Sequence, residues 1–235
     1  MLKIERYVLP SPEQWEIIIE GMRNPMNSWE KSDSGICTGF DEGLCDHCHF
    51  YEDEDDGCTT FCNNHDDEPI FVIGEADHKL MTSLAKGGAV HAKYRRMIPV
   101  YLTINAPLYW WKEFDTYKVG TVCNSCSTMH KIQAKEFTLD DFSHEHFCLS
   151  SKDVMAKIIG ALNIERQIFL NTKNKESWWQ MIQLLPTSYN QKRTVMLNYE
   201  VLVNIYHSRK NHKLDEWHTF CDWIEGLPYS ELITG

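Results

Sequence analysis

Residues 41 to 68 carry eleven carboxylates and neither a lysine nor an arginine. A run so charged cannot join an apolar core, so the fold has to be built from the sequence on either side of it. The acidic stretch then reads as an insertion at about residues 35 to 68. The other 23 acids are matched by 23 lysines and arginines, so the net charge of -11 belongs to this one segment and the body of the chain is neutral. The acidic segment cannot help a long nucleic acid bind, and none is expected as partner, but it says nothing against a small phosphate pocket elsewhere.

The same region gathers five of the nine cysteines, Cys37, Cys45, Cys48, Cys58 and Cys62, among His47, His49 and His65. "CDHC" followed by "CTTFC" is a paired spacing by which Cys45, Cys48, Cys58 and Cys62 could converge on one tetrahedral zinc, whose charge would offset the surrounding carboxylates. A solvated acidic loop with reduced cysteines is the plainer reading, since a cytosolic chain keeps its thiols reduced. Both readings remain open at this point.

The body is long enough, at 235 residues and 43% hydrophobic, to bury a substantial core. "SPEQWEIIIEGM" predicts a helix with Ser11 as N-cap, Pro12 in the first turn and Trp15, Ile18, Ile19 and Met22 on one face. Glu75 to Lys86 predicts a second helix, ending at Gly87-Gly88. "MIPVYLTINAP" alternates Val100, Leu102 and Ile104 against Tyr101, Thr103 and Asn105, the period of a strand, and Pro107 then opens a helix running into "DTYKVGTVCNSCSTMHK". Farther on, Ser151 is expected to cap a helix and "ESWWQMIQLLP" to form another. "RTVMLN" reads as a short strand, followed by helices over "YEVLVNIYHSRKN" and "LDEWHTFCDWIEGLP". Helices with two distant strands predict an α+β fold, a helix-rich single domain spanning 1–235 with a small antiparallel sheet.

The stretch "LLPTSYNQKRTVMLNYEVLVNIYHSRKNHKLDEWHTF" resembles the C-terminal motif of the flavin-dependent thymidylate synthases: a Leu-Pro turn, a strand ending in Asn, a helix ending in Arg, then a Trp. Asn198, Asn204 and Arg209 match by type and spacing, and Trp217 follows after a one-residue insertion. Upstream, "GGAVHAKYRRMIPVYLTINAPLYWWKEFDTYKVGTVCNSCSTMH" is similar to the family's helix, strand, Ala-Pro, helix and signature loop. With Ala106-Pro107 setting the register, the family's Arg-His-Arg falls on Thr116, Tyr117 and Lys118, its nucleotide-binding Ser on Cys126 and the following Arg on Thr128. A one-residue shift would put Ser127 on that Ser, and a phosphate-contacting Arg before the Leu-Pro falls on Ile182. The resemblance covers residues near 70 to 130 and 178 to 225.

The resemblance implies FAD as cofactor, a pyrimidine deoxynucleotide as substrate, methylenetetrahydrofolate and NADPH as co-reactants, and a homotetramer with sites built across subunits. It assigns flavin contacts to Asn198, Asn204, Tyr117 and Lys118, and substrate contacts to Glu113, Thr116, Cys126, Ser127, Thr128 and Arg209. Arg209 would also be catalytic, by stabilising negative charge that develops on the pyrimidine ring. Without the resemblance Arg209 reads as a cation favourable to a helix C-terminus. Cys123 and Cys126, a CxxC pair, keep a redox or metal alternative with Lys118 as the cation nearest in sequence. No apolar run is long enough to span a membrane and the N-terminal residues lack a secretory pattern, so the expected location is cytoplasmic.

Overall fold

The computed structural model describes residues 1–37 and 70–235. Cys45, Cys48, Cys58 and Cys62, and with them the expected zinc site, lie outside the described residues. Four strands form the main sheet, β1 (Lys3–Val8), β4 (Pro99–Pro107), β5 (Val122–Ser125) and β6 (Asn190–Asn198), in the spatial order β1-β4-β6-β5. A second, two-stranded antiparallel ribbon joins β2 (Gly35–Cys37) to β3 (Ile70–Val72) and pairs Cys37 with Ile70, the residues flanking the segment 38–69. The helices are α1 (Pro12–Arg23), α2 (Glu75–Lys86), α3 (Leu108–Phe114), α4 (Leu149–Thr172), α5 (Lys175–Leu184), α6 (Tyr199–Arg209), α7 (Asp215–Glu225) and α8 (Glu231–Thr234). The described residues are thus helix-rich with a small sheet that includes antiparallel pairs, in agreement with the sequence pattern.

Those residues group into two units. The first comprises Met1–Tyr7, Leu102–Met196 and His212–Phe220, and the second Val8–Tyr101, Leu197–Asn211 and Cys221–Gly235. In the first, Trp110, Trp111, Phe114, Trp217 and Phe220 are fully buried and pack ring on ring, with Trp110 centred 4.8 Å from both Trp111 and Trp217. Each such ring buries about 150–250 Å², so this cluster dominates the local apolar energy. Around α4 and α5 a satellite core forms from Ile132, Phe137, Phe142, Met155, Leu162 and Met181.

In the second unit α1 is held as its sequence requires. Ser11 Oγ accepts the Gln14 N–H, the Gln14 side chain accepts the Ser11 N–H, and Trp15, Ile18, Ile19 and Met22 are buried. Its C-terminal Arg23 is 3% exposed and donates through Nε to Asp77 at 2.5 Å. Asp77, at 0% exposure on α2, also accepts the hydroxyls of Ser32 and Ser34 at 2.6 and 2.7 Å. Burial pushes the Asp77 carboxyl upward, but the hydrogen bonds from Ser32, Ser34 and Arg23 outweigh it and hold the group below the usual carboxylate range. Asp33 caps α2 with both carboxylate oxygens, and Gly74 is required there because a Cβ would stand 2.4 Å from that carboxylate.

Two helix expectations need correction. The helix opened by Pro107 stops at Phe114, because the Thr116 N–H and hydroxyl both turn back onto the Glu113 carbonyl, at 3.1 and 2.7 Å. Ser151 is not a cap. The helix begins three residues earlier, at Leu149, with Cys148 as the N-cap residue whose carbonyl accepts the Lys152 N–H at 3.0 Å.

Candidate functional site

In the first unit, β4 runs into Ala106 and Pro107, and the extended backbone of Pro107 sets the start of α3. The first two N–H groups of that helix are satisfied by the turn preceding β6, Leu108 by Tyr189 O and Tyr109 by Thr187 O, both at 3.0 Å. With Trp110, Trp111 and Phe114 turned into the core, Tyr109 and Glu113 are left to make polar contacts with the chain after His212. The Trp217 indole N–H donates to Glu113 Oε2 at 3.0 Å, His212 Nε2 lies 3.3 Å from the same oxygen, and the Tyr117 ring meets Trp217 edge-on at 6.2 Å. Tyr109 donates its hydroxyl to Glu216. Burial, reinforced by that carboxylate, pushes the Tyr109 phenol well above its ordinary value. Glu113 and Tyr117, both expected as ligand contacts, therefore share one polar cluster built on Trp217.

The loop beyond α3 is more strand-like than expected. β5 pairs antiparallel with β6 in the register Cys123↔Val195 and Ser125↔Arg193, and the Cys126 N–H extends the ladder to Lys192 O at 2.9 Å. Gln191 Nε2 fixes the Cys126 carbonyl at 2.8 Å. Three residue steps of extended chain separate Cys123 from Cys126 by about 10 Å and turn them to opposite faces, against an upper limit of about 7 Å between the Cα atoms of a disulfide. Cys123 and Cys126 are accordingly both unbridged thiols. Ser127 Oγ accepts the N–H groups of Met129 and His130 at 3.3 and 2.8 Å, which leaves its proton to donate. Thr116 and Lys118 are exposed, and Thr128 is half-buried.

A cation not singled out in the sequence stands beside this loop. Arg193 lies 4.4 Å over the Trp111 ring, pairs with Asp115 at 2.7 Å, donates to Gln191 Oε1 at 2.9 Å and reaches Cys123 Sγ at 3.9 Å. The signal for it was present: period-two alternation puts Arg193 on the same strand face as buried Val195 and Leu197, where a charge needs partners.

In the second unit, Asn198 caps α6 by accepting the Val201 N–H at 3.1 Å, and exposed Asn204 donates Nδ2 to Glu200 O at 2.9 Å. Arg209 sits half-buried in the last turn of the same helix. At 3.6 residues per turn, positions 204 and 209 point about 140° apart, so Asn204 and Arg209 do not share a face. Among the described residues no group of three or more His, Cys, Asp or Glu is placed to hold a metal ion, and no helix is long and apolar enough to cross a membrane.

The chain is similar in fold to solved flavin-dependent thymidylate synthases and a related methylase. The flavin dependent thymidylate synthase ThyX from Helicobacter pylori, complexed with FAD and dUMP, superposes with a TM-score of 0.56 at 16% identity, covering 99% of this chain and 97% of that one. A second Helicobacter pylori ThyX structure with FAD and dUMP gives 0.56 at 15% identity over 99% and 95%. The UMP/dUMP methylase PolB from Streptomyces cacaoi, bound with 5-Br dUMP, gives 0.56 at 10% identity over 100% and 94%. No family model matches the sequence, and no characterised protein matches it by sequence. At these identities the likeness shows the fold alone.

Proposed function

We propose that this chain is a flavoprotein that binds a pyrimidine deoxynucleotide such as dUMP and methylates it in the manner of the flavin-dependent synthases. The observation that carries the reading is the end-to-end likeness, over nearly the full length of each partner, to structures that hold FAD and dUMP or a dUMP analogue. Arg209 is assigned to the pyrimidine ring, where a fixed cation favours charge developing during attack from C5. Lys118, Thr116, Cys126, Ser127 and Thr128 are assigned to nucleotide or cofactor oxygens, with Glu113 and Tyr117 lining the same loop. Assembly as a homotetramer, with sites built across subunits, belongs to the proposal.

The asparagines suit the imide edge of a flavin. With Oδ1 engaged as a cap, Asn198 keeps its amide N–H donors, and with Nδ2 engaged on Glu200 O, Asn204 keeps its carbonyl acceptor. Asn198, Asn204, Tyr117 and Lys118 would hold FAD, which when bound supplies the hydride; methylenetetrahydrofolate would give the one-carbon unit and NADPH the reducing equivalents. A second reading, nucleotide or flavin binding without methylation, draws on the loop itself. Thr116 closes its own helix, Ser127 caps its own turn, and the loop between α3 and β5 keeps one cation, Lys118, where the family pattern has two arginines.

Thermal unfolding with dUMP tests the shared part of both readings. A ligand at 100 times its Kd should raise Tm by about 5–10 °C for a chain of this length. Arg209→Ala should abolish that shift while changing unliganded stability by less than about 1 kcal/mol. No shift with any uridine or thymidine nucleotide at millimolar concentration contradicts nucleotide binding. Turnover with FAD, NADPH and methylenetetrahydrofolate then separates methylation from binding alone.

A further inference from the structure

On α1, Glu16, Glu20 and Arg23 follow the i, i+4, i+7 spacing of one helix face and, with Trp29 and Phe71, line a cavity of about 220 Å³ within the second unit. Arg23 brings no net charge to it: the guanidinium is 3% exposed, donates to Asp77 at 2.5 Å and to the backbone oxygens of Ser28 and Lys31 at 3.2 and 2.9 Å. The remaining polar walls offer acceptors. Ser32 and Ser34 direct their hydroxyl protons to Asp77 Oδ2, at 2.6 and 2.7 Å; Ser34 Oγ also accepts the Gly74 N–H at 2.9 Å, which leaves it one lone pair, while Ser32 Oγ keeps its acceptor capacity for a ligand.

Glu16 and Glu20 are exposed and make no ion pair or hydrogen bond through their carboxylates among the described residues. Like charges at i, i+4 oppose the helix that carries them, so an occupant with positive charge relieves a repulsion that the described residues leave standing. Trp29, 46% exposed with its indole N–H fixed on Asn24 Oδ1 at 2.8 Å, and Phe71, stacked on Trp15, supply aromatic surface beside the two carboxylates. Carboxylates with aromatic rings and acceptor oxygens are the chemistry that selects an organic cation over a metal ion. The volume is below the roughly 300–1,000 Å³ of clefts for drug-sized ligands, and suits a headgroup.

We infer that this cavity binds an alkylated ammonium group, carried by a small free amine or by a methylated lysine side chain. The test uses the whole protein and two-dimensional NMR of the Trp29 indole N–H, assigned by its disappearance in Trp29→Phe. Tetramethylammonium chloride should shift that resonance saturably, and sodium chloride at equal concentration should not. The double variant Glu16→Gln/Glu20→Gln, which removes only surface charge, should weaken binding by about tenfold or more. A peptide carrying trimethyl-lysine that binds more tightly than tetramethylammonium assigns the group to a side chain; equal affinity assigns it to a free amine. A Trp29 resonance that does not move, or unchanged affinity in the double variant, overturns the inference.

Discussion

Glu113 Oε2 accepts the indole N–H of fully buried Trp217 at 3.0 Å while standing 3.3 Å from His212 Nε2, so one carboxylate ties α3 to the chain entering α7 within the first unit. Truncation strands a buried donor, whereas an amide keeps the acceptor. Glu113→Ala should therefore cost about 1–3 kcal/mol in urea unfolding and Glu113→Gln distinctly less. Equal losses in the two variants would show that the indole bond is not what Glu113 contributes.

Asp77 is the hub of the second unit's polar core, and its removal leaves the Arg23 charge buried. Asp77→Ala should destabilise by about 3–5 kcal/mol. The pH dependence follows from the direction of its shift. The folded pKa lies below the unfolded value of about 3.9, so the stabilisation is complete above about pH 4 and is lost as pH falls through the folded value. Asp77→Asn should flatten that part of the acid limb, as measured by unfolding free energy against pH. An acid limb identical to the parent's would assign the loss to other carboxylates.

Cys148 and Cys221 should differ sharply as nucleophiles. Hydrogen bonds from the Ser150 and Ser151 hydroxyls to Cys148 Sγ, at 3.1 and 3.2 Å, hold this exposed thiol at about 6, whereas burial pushes Cys221 up to about 11. Alkylation followed by peptide mass spectrometry should give Cys148 a midpoint near pH 6 and leave Cys221 largely unmodified at neutral pH. The double variant Ser150→Ala/Ser151→Ala should move the Cys148 midpoint upward, toward the ordinary thiol value of about 8.5. A midpoint that stays put would mean the hydroxyls do not set it.

How much of this was legible in the sequence follows from which side chains are buried. β4 and β6 are the central strands of the order β1-β4-β6-β5, and Val100, Leu102 and Ile104 on one and Val195 and Leu197 on the other announce them by alternation. The edges were silent. β5 is exposed at all four positions and β1 at five of six, so neither has a buried face to impose a period. Cys148 as the start of α4 escaped notice because the two serines after it are the commoner caps and here bond to its sulfur instead. Within the candidate site, the Glu113 and Trp217 contact joins residues 104 positions apart, and the Arg193 and Asp115 pair joins residues 78 apart. Local periodicity carries no information on pairings at that range. Asn198 and Asn204 were picked out only through the family resemblance, while the use of one as a helix cap and the other as a backbone donor emerged from the fold.

The central claim is that the chain binds flavin and pyrimidine nucleotide together. Visible absorbance of the protein after loading with FAD and removal of free cofactor, followed by titration with dUMP, addresses both in one measurement. The account predicts a yellow protein whose flavin bands shift saturably as dUMP is added, with Arg209→Ala keeping the colour and losing the nucleotide response. A colourless protein whose spectrum is unchanged by dUMP would contradict it.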